Sequence, residues 1–139
     1  MVNAKKTGFL WSDVKKIDKL LRTFPSQLRG KTEKEFSMAL SPIIMGRLMK
    51  GNSKNNVIAE IDKRVKVDPV HCFGKKNRPD LTVNNNGIAV EFKLCNSTGL
   101  AQAIGQGMIY RMKYKFVFLV LILKIRKENK TILFGLLLW

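Results

Sequence analysis

Apolar residues recur at helical spacing through the first part of the chain. Val14, Ile17, Leu20, Leu21 and Phe24 fall on one face of a helix that Ser12 can cap and Pro25 ends. Gln27 to Lys31 reads as a basic loop. Thr32 and Glu35 then form the T-x-x-E capping box of a second helix, whose apolar face is Phe36, Leu40, Ile43, Ile44 and Leu48. Pro42 predicts a kink or break in that helix, and Gly51-Asn52-Ser53 marks its stop.

Beyond that point the period shortens to alternation. Val57 to Val67 predicts a strand, and Pro69 to Arg78 a basic loop containing Gly74. Two short strands, Leu81–Val83 and Ile88–Lys93, flank Asn84-Asn85-Asn86-Gly87, a strong hairpin signal. After a loop at Asn96–Gly99, Leu100 to Met112 reads as a helix despite Gly105 and Gly107. Phe116 to Ile125 is apolar except for Lys124, the mark of a strand covered on both faces and therefore central. A turn at Glu128-Asn129-Lys130 leads into a last strand, Ile132 to Trp139. The predicted order α-α-β-β-β-α-β-β describes an α/β (α+β) domain with one central sheet. At 139 residues it is a single domain, with 1–31 as a basic N-terminal helix and loop and 32–139 as the core.

Charge narrows the choice of partner. Lys and Arg number 26 against 10 acids, a formal net charge of +16, and such a field attracts polyanions, most commonly nucleic acid or an anionic membrane surface. In so basic a chain each carboxylate calls for a reason. Phe116 to Leu123 and Ile132 to Trp139 are too short to span a bilayer as helices, so no membrane partner is expected. Cys72 and Cys95 make no zinc spacing with the single His71. With no signal peptide at the start, the expectation is reduced thiols and a cytoplasmic (intracellular) protein.

The chemistry gathers around the hairpin. Facing residues in antiparallel strands have numbers of constant sum, so a two-residue turn sets Asp80 across from Lys93, and a four-residue loop sets it across from Glu91. Glu91 and Lys93, two apart, share a face in either case. A three-residue loop would separate them from Asp80. Two carboxylates side by side repel unless a divalent cation lies between them, and hard oxygen ligands favour Mg²⁺ or Mn²⁺. With an ammonium to hold or help deprotonate a water, the set suits hydrolysis of a phosphodiester.

Arg78-Pro79-Asp80, ten intervening residues and Glu91-Phe92-Lys93 together resemble the PD-(D/E)XK motif of the restriction-endonuclease-like nuclease superfamily. The resemblance implies a restriction-endonuclease-like core, a central mixed β-sheet flanked by helices. It implies metal ligation by Asp80, Glu91 and the carbonyl of Phe92, with Lys93 positioning or activating the attacking water. Gln106 to Tyr110 is similar to the Q-x-x-x-Y motif of RecB-like branches. Spacing of i, i+4 puts Gln106 and Tyr110 on one helical face with Gln102 a turn earlier, so all three are candidates to contact a phosphate or the catalytic water network. The superfamily often adds an acid from its first core helix, for which Glu35 and Glu33 are the candidates. Glu60 and Asp62 are weaker, since pairing with Lys63 or Arg64 would explain them.

Lys75, Lys76 and Arg78 are candidate DNA-backbone contacts. His71 reads as a loop residue or phosphate contact, and Cys95 has no apparent base to make it a nucleophile. Trp11 and Trp139 read as core or interface anchors. The ending Leu136-Leu137-Leu138-Trp139 must be covered, which makes a homodimer one expectation. The function expected is a Mg²⁺-dependent deoxyribonuclease. Its size resembles archaeal junction resolvases, and its Gln106–Tyr110 motif resembles enzymes that process DNA ends. The alternative is a non-catalytic basic nucleic-acid-binding protein.

Overall fold

A computed structural model describes residues 3–23, 32–50, 56–60, 66–125 and 130–139. The expected loop at Gln27–Lys31, the stop at Gly51-Asn52-Ser53, Phe24, Pro25, Asp62, Lys63, Arg64, Val65, Glu128 and Asn129 lie outside them.

Among the described residues there are three helices, α1 (Gly8–Thr23), α2 (Glu33–Met49) and α3 (Ser97–Tyr110). The strands are β1 (Val57–Ala59), β2 (Val70–Cys72), β3 (Lys75–Asn77), β4 (Leu81–Val83), β5 (Ile88–Leu94), β6 (Phe116–Ile125) and β7 (Lys130–Leu138). Five of them form one mixed sheet in the order β1-β4-β5-β6-β7, and β2 and β3 form a separate hairpin. The β5–β6 pair is parallel and the other pairs are antiparallel, so the chain crosses from β5 to β6 through α3. The protein is a mixed α+β domain.

The strand pattern dictates two cores. Ile88, Val90 and Phe92 of β5, with Phe116, Phe118, Val120 and Ile122 of β6, face α1 and α2, which contribute Val14, Ile17, Leu21, Phe36, Leu40, Ile44 and Leu48. Alternate residues Ala89, Val117 and Leu119 face α3, packed with Ala103 and Tyr110. α1 belongs to this first core, to which it supplies three buried side chains.

Several element boundaries differ from expectation. α1 starts at Gly8, one turn before Ser12, and Gly8 enters it at φ +81, a conformation open to glycine. α2 runs through Pro42 without a break. Thr32 caps it as expected, its side chain accepting the Glu35 N–H at 3.2 Å. β1 ends at Ala59, and Val67 is buried but lies outside any strand. α3 begins at Ser97, three residues before Leu100, because the Asn96 carboxamide accepts the Gly99 N–H at 2.7 Å and caps the helix there.

The largest departure is β2–β3, where a loop was expected. Val70 pairs with Asn77 and Cys72 with Lys75 across a two-residue turn, Phe73 (φ +48) and Gly74 (φ +73). Two positive φ values are what a tight hairpin turn requires, and Asn-Gly usually supplies them. Phe in the first position conceals the signal.

Candidate active site

Leu81 pairs with Val90 and Val83 with Ile88. This is the four-residue-loop register, and it carries Asp80 across from Glu91. At this end of the sheet β4 has run out while β5 continues, leaving room for side chains from neighbouring elements. A cleft of about 310 Å³ opens there, lined by Glu33, Lys34, Ser37 and Met38 of α2 together with Glu60, Asp80, Glu91, Phe92 and Lys93. Four of the ten acids in a chain of net charge +16 line this one space, which is the reverse of the molecule's overall bias.

Each acid is held by a specific partner. One oxygen of Asp80, Oδ2, accepts the Phe92 N–H at 2.8 Å. In a strand a residue's N–H and C=O point to the same edge, so the Phe92 carbonyl shares the edge on which Asp80 sits. Glu91 is only 4% exposed, and its two oxygens have different partners. Oε2 accepts the Tyr110 hydroxyl at 3.2 Å, while Oε1 lies 3.6 Å from Lys93 Nζ. The same ammonium is 3.3 Å from Glu33 Oε2, which ties α2 to β5 across the cleft.

These surroundings set the protonation states. Burial, and then the charge of Asp80, push the Glu91 carboxyl up to about 8. Burial also lifts Asp80, to about 6, against the pull of the Phe92 amide and Lys93. The two acids compete for charge, and near neutral pH the pair retains a proton. Burial lowers Lys93, but Glu91, Glu33 and Asp80 outweigh it and hold the amine above its ordinary value, so it is an ammonium. Burial and the neighbouring Glu91 carboxylate hold the Tyr110 phenol well above its usual range, so it remains a neutral donor.

The other expected site residues are placed unevenly. Glu35 is exposed and does not line the cleft, and Glu33 takes that place. Glu60, the weaker candidate by sequence, lines the cleft, accepts the Val67 N–H at 3.3 Å and lies 3.7 Å from Arg78 Nε. Arg78 is thus turned toward an acid. Tyr110 reaches Glu91, but Gln106, one turn earlier, keeps Oε1 buried with no hydrogen-bond partner, and Gln102 is exposed. Lys75 and Lys76 are exposed on β3 and do not line the cleft, and His71 is exposed on β2. Cys72 and Cys95 are free thiols.

Among the described residues, no three His, Cys, Asp or Glu side chains are grouped as a ready-made metal cage. A hard cation that keeps much of its water needs only one or two carboxylates, and Asp80 and Glu91 meet that lesser demand. A larger cavity of about 510 Å³ is lined by Met108, Arg111, Leu137, Leu138 and Trp139 and holds no acid. Among the described residues, no helix is long and apolar enough to cross a membrane. Comparison with protein-family models, with curated proteins and with solved structures found no match.

Proposed function

We propose that the chain is a metal-dependent nuclease that hydrolyses DNA phosphodiester bonds at a PD-(D/E)XK-type site on a restriction-endonuclease-like core. One observation carries this reading: two desolvated carboxylates, Asp80 and Glu91, converge with the Lys93 ammonium in an acid-lined cleft of an otherwise strongly basic chain. A buried pair of this kind is costly by itself, and ionising both acids calls for a compensating cation.

Asp80, Glu91 and the Phe92 carbonyl would hold Mg²⁺ or Mn²⁺, which when bound supplies a Lewis acid and a template for the scissile phosphate. The chain's own groups then have distinct tasks. The Phe92 amide fixes Oδ2 of Asp80 and leaves Oδ1 outside that hydrogen bond. Tyr110 anchors Glu91 from the α3 side, so that Oε1 is presented beside Lys93. Lys93, as an ammonium, donates hydrogen bonds to the attacking water or to the charge that builds on phosphate oxygens. Glu33 positions that ammonium.

The test is a cleavage assay on duplex, single-stranded and four-way-junction DNA, with Mg²⁺ or with EDTA. Asp80→Ala and Lys93→Ala are expected to lower cleavage by about a hundredfold or more while the fold persists. Cleavage surviving EDTA, or surviving both substitutions, would refute the proposal. Lys93 already offers a counter-charge to both Glu33 and Glu91, which favours a second reading, a non-catalytic basic nucleic-acid-binding protein. It is recognised by salt-dependent DNA binding with no uptake of Mg²⁺ or Mn²⁺ in calorimetry.

A further inference from the structure

The hairpin β2–β3 has no part in the cleft, yet its tip is unusual. Phe73 at its tip is 101% exposed, the highest value among the described large apolar side chains. Its φ of +48 is one that bulky residues avoid, so neither burial nor turn chemistry explains a phenyl ring there. The strain sits at a tip whose base is packed against α3. Val70 is buried with Ala103 and Tyr110 of α3, and the Asn77 carboxamide donates to the Val70 carbonyl at 3.4 Å. Strained residues on a fixed scaffold are typical of binding sites.

The ring's neighbours indicate its partner. Lys75 and Lys76 are exposed beside it, and no acid occurs from Val70 to Arg78. An exposed aromatic next to cations is the arrangement that stacks on a nucleobase while neutralising an adjacent phosphate. Base pairs already stacked in a duplex offer no free face, whereas an unpaired base does. Seven residues lead from Phe73 to Asp80. At full extension they reach no more than about 25 Å, or about seven nucleotide steps of roughly 3.4 Å.

We propose that this hairpin is a base-stacking prong. Phe73 stacks on an unpaired base while Lys75 and Lys76 grip the adjacent backbone, selecting DNA with unpaired bases within about seven nucleotides of the cut. The proposal deepens the nuclease reading and rests on it for the cut, but not for the binding.

Binding is therefore measured in EDTA, with 2-aminopurine placed either in a single-stranded gap or inside an uninterrupted duplex of the same length. The variants are Phe73→Asn, which supplies the turn with its preferred Asn-Gly pair, and Phe73→Trp. Phe73→Asn is expected to bind gapped DNA about tenfold more weakly, to leave duplex affinity within about twofold and to abolish the change in gap fluorescence. Its melting temperature should equal or exceed the parent's, which separates lost stacking from lost folding. Phe73→Trp should retain gap binding. Equal affinities of Phe73→Asn and parent for gapped DNA, or equal losses on both DNAs, would overturn the prong. If the Phe73 effect appears but Mg²⁺-dependent cleavage does not, the nuclease reading fails and the prong stands. Cleavage without the Phe73 effect removes the prong and leaves the nuclease.

Discussion

Glu91 sits where solvent cannot stabilise its charge, with Asp80 beside it to oppose ionisation further. The folded protein therefore keeps a proton that the unfolded chain releases between the ordinary value of 4.5 and about 8. A raised carboxyl pKa contributes stability that is full below the lower value and is lost as pH climbs through the upper one. The slope for one proton is at most about 1.4 kcal/mol per pH unit. Metal-free protein should thus melt at progressively lower temperature toward pH 8, and Glu91→Gln should flatten that decline. A cation that replaces the proton acts in the opposite direction, so stabilisation by Mg²⁺ or Mn²⁺ should grow over the same window and shrink in Glu91→Gln. Parallel melting curves for parent and variant across pH would show that Glu91 is not the acid that holds this proton.

Side-chain roles of this kind were legible in the sequence only where the backbone period fixed them. Asn84 to Gly87 announced the hairpin, and alternation along β5 put Glu91 and Lys93 on one face, so their meeting with Asp80 followed for a two- or four-residue loop, and the structure has the four-residue one. Glu33 and Glu35 differ by two positions on one helical turn, and choosing between them required the position of α2 over the sheet. The Arg78–Glu60 pair depends on how β1 lies against β4, which no local pattern encodes. The β2–β3 hairpin was hidden because Phe73 stands where the turn prefers Asn. Glycines in α3 illustrate the same limit. A Cβ at Gly105 would meet nothing within 4 Å, whereas one at Gly107 would lie 2.8 Å from Leu138 and 3.1 Å from Leu119. Both alanine variants gain helix propensity, roughly 1 kcal/mol. Only Gly107→Ala must displace neighbours, the side-chain methyls of Leu138 on β7 and Leu119 on β6, at a cost of about 1–3 kcal/mol. Gly105→Ala should therefore raise the melting temperature and Gly107→Ala should fall below it. Gly107→Ala should also lose activity, because Tyr110 rides on the same helix to reach Glu91. Equal stability of the two variants would mean that the close contact of α3 with the sheet carries no constraint.

Charge acts over distances that single contacts do not, and here it is unevenly spread. The chain carries +16, yet the cleft sets four carboxyl groups against two lysines, a local balance of −2 when every acid is ionised. The basic surface draws in a polyanion, while the cleft repels the one phosphate that must enter it until a cation cancels the deficit. Affinity and chemistry should then separate experimentally. In EDTA, binding to DNA should weaken steeply with salt, by about a thousandfold between roughly 50 and 200 mM if about six phosphates are contacted. Above about pH 8, where both acids of the pair are ionised, Asp80→Asn removes one negative charge without touching the basic surface. It should bind more tightly than the parent under those conditions, with an unchanged salt slope. Weaker binding by Asp80→Asn, or a slope equivalent to fewer than about two phosphates, would mean that the positive surface and the acidic cleft do not face the same ligand.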